Sequence, residues 1–289
     1  MKYKILISTL RLIARLPLAI LYAFCSALWP VLYYIIRYRR KVTRQNLTRS
    51  FPEKSLKEIK AIERKTYRHI CEIAVETLKQ LHISDKEMQR RITITGLDLI
   101  EQIAEAGHPV FMLNGHFGNW EWAAEVVRRM KKPTVHGYIY EPLASEAIDH
   151  VMRDLRGFYG TQLIAKKQAA RTILLMKRQH QSYFIGFIAD QRPKRTSLNH
   201  WTTFLHQDTP YMVGAEELGR HVDAVCLYEH MEQPRRGYYH ITIERLKPVE
   251  GEEYPYTMAY LRRLEQDIQE APHLWLWTHK RWKHKRVKS

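Results

Sequence analysis

Hydrophobic and polar positions divide this chain into stretches of different period. Leu16 to Ile36 is a 21-residue run without a charge, bounded by Arg15 and by Arg37, Arg39, Arg40 and Lys41. It is long enough to cross a bilayer. Trp29, Tyr33 and Tyr34 lie near its C-terminal flank, where interfacial aromatics belong. Arg11 and Arg15 extend the pattern amphipathically upstream, so a buried or interface-lying hairpin is the alternative to a full span. Ser55–Leu81 then reads as a long amphipathic helix, with Ile59, Ile62, Ile70, Ile73, Ala74 and Leu78 on one side. Ser55 and Glu58 are spaced as a capping box.

Beyond that helix, short apolar runs alternate with segments of helical period. Strands are predicted at 92–94, 109–113, 134–140, 183–189, 222–228 and 238–243. Helices are predicted at 97–106, 120–130, 144–155, 169–177, 210–220 and 256–269. Such alternation predicts an α/β fold, a sheet covered by helices on both faces.

One junction carries candidate chemistry. The apolar run Pro109–Leu113 leads through Asn114-Gly115-His116-Phe117-Gly118-Asn119-Trp120-Glu121 into the next helix. His116 therefore sits at a strand-to-helix turn framed by glycines, which permit sharp turns and close approach. Strand ends are also where open α/β sheets place their sites. Glu121 follows five residues later. It is able to meet His116 only if the helix begins near Gly118 or Asn119, so that His116 folds back from outside it. A histidine held by a carboxylate is a general-base arrangement. The bland alternative is a turn histidine that only caps a helix.

Three further constellations surround this one. Asp190-Gln191 ends the most hydrophobic strand and so falls beside the site expected from His116, or else forms a simple Asx turn. Arg156 precedes the turn Gly157-Phe158-Tyr159-Gly160 and suits a phosphate or a developing oxyanion, or is a surface charge. Leu274–Lys283 mixes tryptophans with cations. It fits a membrane surface, a phosphate or stacked bases, or a terminal helix whose tryptophans enter the core.

Charge distribution narrows the partners. The 289-residue chain has a formal charge of +17, concentrated at its ends. Residues 1–52 hold ten Lys/Arg and residues 271–289 hold six, with no Asp or Glu in either. Removing those sixteen from 47 leaves 31 basic against 30 acidic residues between them. Ends of this kind suit an anionic surface. Nucleic acid is set aside as a partner, since an apolar anchor is poor company for it. Cys25, Cys71 and Cys226 each sit in an apolar context without CxxC spacing, which implies buried thiols rather than a disulfide framework. No four-ligand zinc spacing is present.

Taken in order, these segments resemble the late acyltransferases of lipid A biosynthesis, the lauroyl/myristoyl type within the lysophospholipid acyltransferase superfamily. The likeness runs from about Arg37 to Lys283. It is carried by Asn46-Leu47 with Phe51-Pro52-Glu53, by Asn114–Glu121, and by Gly160-Thr161-Gln162-Leu163-Ile164. Ala189-Asp190-Gln191, Phe204 with Thr209, and Trp277–Lys283 complete it.

The resemblance implies a glycerolipid acyltransferase-like fold: a central mixed sheet flanked by helices, with an N-terminal membrane helix. Residues 1–41 would be the anchor and 42–289 the catalytic domain, on the cytoplasmic face of the inner membrane. The activity implied moves an acyl group from acyl carrier protein or acyl-CoA to a hydroxyl of an anionic glycolipid, without metal or cofactor. By this likeness His116 is the general base and Glu121 orients it. Asn114, Gly115, Asn119, Arg156, Asp190, Gln191 and Arg281 would bind substrate. Arg192-Pro193-Lys194 and Phe204-Leu205 depart from the usual pattern and bear on acceptor and chain length. Transfer to another lipid, or thioester hydrolysis by the same pair, are the competing activities.

Overall fold

A computed structural model describes residues 2–131, 135–143, 145–157 and 160–286. Thr134, Ala144, Phe158 and Tyr159, which the pattern places at element edges and in the Arg156 turn, lie outside the described residues. The chain begins with α1 (Lys2–Ala14), α2 (Leu18–Pro30), a π-helical continuation of α2 over Val31–Ile36, α3 (Arg40–Ser50) and α4 (Leu56–Lys79). The capping box forms as spaced: the Ser55 hydroxyl accepts from Glu58 N, and the Glu58 carboxylate accepts from Ser55 N.

Then follow α5 (Asp85–Arg91), β1 (Ile92–Thr95), α6 (Leu97–Glu105), β2 (Val110–Asn114), α7 (Glu125–Arg129), β3 (Val135–Tyr140), α8 (Glu146–Gly157) and β4 (Gln162–Ala165). The chain continues through α9 (Ala169–Arg178), β5 (Tyr183–Ile188), β6 (Trp201–Phe204), β7 (Gln207–Pro210) and α10 (Gly214–Val222). It closes with β8 (Val225–Arg235), β9 (Tyr238–Arg245) and α11 (Pro255–Glu270).

Seven strands form one mixed sheet in the order β1-β9-β8-β2-β5-β3-β4. Every neighbouring pair is parallel except the β8–β9 hairpin, which is antiparallel. β2 lies between β5 and β8 and is buried at all five positions. Its alternate residues feed two cores, as a strand covered on both faces must. Phe111 and Leu113 pack with Tyr260, Leu261 and Leu264 of α11 on one side. Val110 and Met112 pack with Trp122, Val126 and Phe184 on the other.

Three strands escape the hydrophobic pattern. β4 is a short edge strand beside β3. β6 and β7 form a separate hairpin whose turn residues, Leu205 and His206, both have positive φ (50° and 61°). That turn normally announces itself by Asn-Gly or Asp-Gly, and Leu-His gives no such signal. Pro210 closes β7 rather than opening a helix, so α10 starts only at Gly214. The helix expected over 120–130 begins as a 3₁₀ turn at Trp122–Ala124 before α7. The Leu274–Lys283 tail is not a continuous helix: after a 3₁₀ turn at Pro272–Leu274 it runs in extended and turn conformations. Trp275 and Trp277 are buried in the core that includes α11. Cys25, Cys71 and Cys226 are buried free thiols.

The N-terminal apolar run is a helix over Leu18–Ile36, long and apolar enough to cross a membrane by length and composition. It is also docked. Leu18, Leu21, Cys25 and Tyr33 are buried, while Ile20, Phe24, Leu28, Ile35 and Ile36 are exposed. Lys79 Nζ donates to the carbonyls of Ala14 and Leu16 at 2.8 and 2.9 Å, and Tyr22 OH donates to Glu76 at 2.5 Å. Arg236 bonds both Tyr22 O and Ser26 Oγ at 3.3 Å. The helix is thus held to α4 and the β8–β9 turn along most of its length.

Candidate active site

Strand register builds the site. Asn114 of β2 pairs with Ile188 of β5. Two residues beyond each, both chains leave the C-terminal edge of the sheet, and His116 meets Asp190. His116 Nδ1 lies 2.7 Å from Asp190 Oδ1, and His116 N donates to Asp190 Oδ2 at 2.9 Å. Trp275 Nε1 also donates to Asp190 Oδ2, at 2.8 Å. Asp190 is 4% exposed. Burial alone would raise its pKa; the His116 charge and the bonds from His116 and Trp275 outweigh it and hold the carboxyl at about 2.

An ionised carboxylate only accepts, so in the neutral ring Nδ1 carries the proton and Nε2 the lone pair. Gln191 Nε2 lies 3.2 Å from His116 Nε2 and donates to that lone pair. His116 and Gln191 are both partly exposed, so the basic nitrogen is reachable.

The turn itself is pinned by the C-terminal tail. Gly118 N donates to Leu274 O at 3.1 Å and Leu276 N to His116 O at 3.1 Å, an antiparallel bridge between Phe117 and Trp275. Gly118 adopts φ +60°, and a Cβ there would lie 2.6 Å from Met231 Sδ. A Cβ on Gly115 would come within 2.9 Å of Leu264 Cδ1. Both glycines therefore answer to packing as well as turning.

The expected contact between Glu121 and His116 does not form. Glu121 accepts two bonds from Arg156, Nε–Oε2 at 2.9 Å and Nη2–Oε1 at 2.6 Å, with Trp120 Nε1 donating to Oε1 at 3.2 Å. The helix does begin late enough for His116 to fold back, yet register places Asp190 against the ring first. The guanidinium fork of Arg156 then takes both Glu121 oxygens. Burial would lower the Arg156 pKa, but the Glu121 carboxylate outweighs that and raises it, so the charge is secure. The Trp120 ring stands 5.3 Å from the His116 ring, between the two pairs.

Gly115 and three side chains expected to meet substrate lie inside the protein. Asn119 is fully buried: Nδ2 donates to Glu76 Oε2 at 2.6 Å, and Oδ1 accepts from Trp122 N at 3.0 Å, capping the turn that follows. Arg281 is 1% exposed and donates to Pro210 O at 2.7 Å. Burial lowers its pKa to about 10, partly offset by Asp190. Asn114 is 3% exposed; its carbonyl accepts from Tyr260 OH and Ala189 N, and its side chain adjoins Glu229. Arg156, Gln191 and the His116 ring are the expected residues that reach solvent, with Asp190 directly behind them.

Trp275 was not legible as part of the site. Its place in an aromatic cluster suggested a core or membrane role, and nothing in its spacing pointed to Asp190. Glu229, one residue past the end of the β8 stretch that pairs with β2, gave no signal either. Burial pushes its pKa up to about 8. The raised value sets a sign. This group's contribution to stability is full below the ordinary value of 4.5 and is lost as pH rises through about 8. Glu229→Gln, neutral at all pH, is expected to flatten the fall of melting temperature between pH 5 and 8. Parallel curves for the two proteins would contradict this.

Among the described residues, no group of three or more His, Cys, Asp or Glu side chains is arranged to hold a metal ion. Curated proteins yield no match to the chain. A family model does match: the one described as bacterial lipid A biosynthesis acyltransferase, over residues 2–284. That range takes in the His116 turn, the Asp190 strand end and the tryptophan tail that joins them. The chain belongs to the bacterial lipid A biosynthesis acyltransferase family, and is an acyltransferase.

Proposed function

We propose that this protein transfers a fatty acyl group from an acyl thioester, on acyl carrier protein or CoA, to a hydroxyl of an anionic lipid A precursor. The observation that carries the reading is the His116–Asp190 pair, 2.7 Å apart at the sheet edge, with Nε2 beside Gln191 and both residues partly exposed. The acceptor hydroxyl replaces the Gln191 amide beside Nε2 and gives up its proton there. Its oxygen attacks the thioester carbonyl, the C–O bond forms, and the C–S bond breaks. The departing thiolate takes the proton back from Nε2. No covalent enzyme intermediate is required.

The developing oxyanion needs donors. The N–H groups of His116, Gly118 and Asn119 are committed to Asp190, Leu274 O and Met231 Sδ. The Gln191 amide beside Nε2 and the Arg156 guanidinium held by Glu121 are the side-chain donors assigned to the oxyanion. Glu121 acts in this scheme by holding Arg156, rather than by orienting the base. A mass-spectrometric comparison of total lipids from cells with and without the gene tests the function. A glycolipid one acyl group heavier is expected only with it. Unchanged glycolipid, with a shift instead in another lipid class, would refute the acceptor.

The membrane-facing part is residues 1–41, with the catalytic body on the cytoplasmic face of the inner membrane. Exposed Leu12, Ile13, Ile20, Phe24, Leu28, Ile35 and Ile36 give it an apolar surface beside the basic, acid-free N-terminus. Arg236, paired with Glu72 at 2.6 Å and bonded to the middle of α2, would sit at bilayer depth if the helix crossed upright. Desolvating that pair is expensive, so the helix lies in the interface, docked on the body. The protein is expected to sediment with membranes and to resist a high-salt wash, which screens charge but not apolar insertion. Full release by salt would contradict the insertion.

A further inference from the structure

Between the apolar helix and the catalytic turn lies a buried carboxylate that the chemistry above does not use. Glu76 of α4 is completely buried. Its Oε1 accepts from Tyr22 OH of α2 at 2.5 Å. Its Oε2 accepts from Asn119 Nδ2 at 2.6 Å and from Tyr239 OH of β9 at 2.7 Å. Its backbone carbonyl accepts from Trp122 Nε1 at 3.1 Å. One residue therefore joins the helix read as membrane-facing to both ends of Asn119–Trp122. That segment carries Trp120, against the His116 ring, and Glu121, which holds Arg156.

We propose that Glu76 is a positioning residue that couples the seat of α2 to the geometry of the His116 turn, so that docking α2 in a lipid bilayer holds the turn in its working form. This rests on the acyltransferase reading of the site and on α2 as the membrane-facing element. The physical basis is stiffness. Asn119 caps the turn with one end of its amide and is gripped by Glu76 with the other, so it has no second arrangement that keeps both bonds. Tyr22 is the only one of the three Glu76 side-chain donors that lies on α2. Lipid that fixes α2 fixes Tyr22, and Tyr22 completes the shell around the carboxylate. A buried carboxylate short of a donor rearranges to find another, and Asn119 is within its reach.

The test uses the full-length protein in detergent micelles and in vesicles of phosphatidylethanolamine with phosphatidylglycerol. The wild type is expected to turn over faster in vesicles than in micelles. Tyr22→Phe removes one hydroxyl and keeps the apolar surface, so flotation with vesicles is expected to be unchanged. Its kcat in vesicles is expected to fall on the order of tenfold, to the micelle value, the loss of one buried hydrogen bond. KM for the thioester is expected to hold. Glu76→Gln still accepts from Asn119 and is expected to keep more activity than Glu76→Ala. A purely structural role would lower the folded fraction and leave the vesicle-to-micelle ratio of folded enzyme intact; that ratio unchanged in Tyr22→Phe overturns the proposal.

A second readout does not depend on catalysis. Amide exchange of the peptide spanning Gly115–Trp122 is expected to slow when the wild type binds vesicles, and not in Tyr22→Phe. Equal protection in both proteins overturns the coupling even where no acyl transfer is measured. If the wild type transfers no acyl group yet shows this protection, the function is refuted and the coupling stands.

Discussion

His116→Ala is expected to lower acyl transfer by on the order of a hundred- to ten-thousand-fold, the span of general-base catalysis. The ring is partly exposed, with Nδ1 bonded to Asp190 and Nε2 to Gln191. The substitution removes no core volume of consequence but leaves the buried Asp190 carboxylate without its ring partner, so a lowered melting temperature is expected while the protein still folds and membrane association stays near wild type. The assay is thioester-dependent labelling of glycolipid by the folded, membrane-bound variant. Near-wild-type transfer would remove His116 from the role of base. It would also remove the reason to place the reaction at this strand edge.

The second large effect is expected at Asp190, and its form is more telling than its size. In Asp190→Asn the oxygen is able to stay with His116 N and Trp275 Nε1, leaving an NH₂ group against His116 Nδ1. The amide then donates to Nδ1, the ring proton moves to Nε2, and no lone pair faces the acceptor. A loss on the order of ten-thousandfold is expected, as where a triad carboxylate becomes an amide. The double variant His116→Ala/Asp190→Asn is expected to be no worse than His116→Ala alone, since residues acting as one unit fail together. Glu121→Gln loosens Arg156 instead and is expected to add to the His116 loss. Additivity at Asp190 with non-additivity at Glu121 would return the orienting role to Glu121.

Acid stability has the opposite sign from that at Glu229. A carboxyl held at about 2 against an ordinary 3.8 contributes stability that is present above about 3.8 and lost as pH falls through 2. Over the working range its charge is constant, so Asp190 contributes no titration of its own to activity there.

How the sequence announces these features depends on the range of the interaction. Local periodicity and capping chemistry made α4 legible from Ser55 onward, and made β2 and β5 legible as apolar runs. The His116 turn was visible because its glycines and its place after a strand are local facts. The carboxylate that holds the ring was not. Glu121 is five residues from His116 in sequence, Asp190 is 74 away, and only the β2–β5 register decides between them.

Burial is likewise a tertiary property. Nothing in the cationic string around Arg281 marks that residue as 1% exposed, nor Asn119 as fully enclosed by α4. The β6–β7 hairpin was hidden because Leu205 and His206 adopt left-handed backbone without the residues that usually advertise it. The docking of α2 stayed one of two alternatives in the sequence because a helix seated on its own protein and a helix in lipid share the same apolar composition.

The central claim is that the acyl group leaves a thioester and arrives on a glycolipid hydroxyl at the His116–Asp190 pair. It is tested most directly with purified protein, an acyl thioester and a phosphorylated glycolipid acceptor, followed by mass spectrometry and thiol titration of one reaction. The expected result is one ester-linked acyl group gained by the glycolipid for each thiol released, with both products absent in His116→Ala. Thiol release accompanied only by free fatty acid, at the same rate with and without the glycolipid, would contradict it.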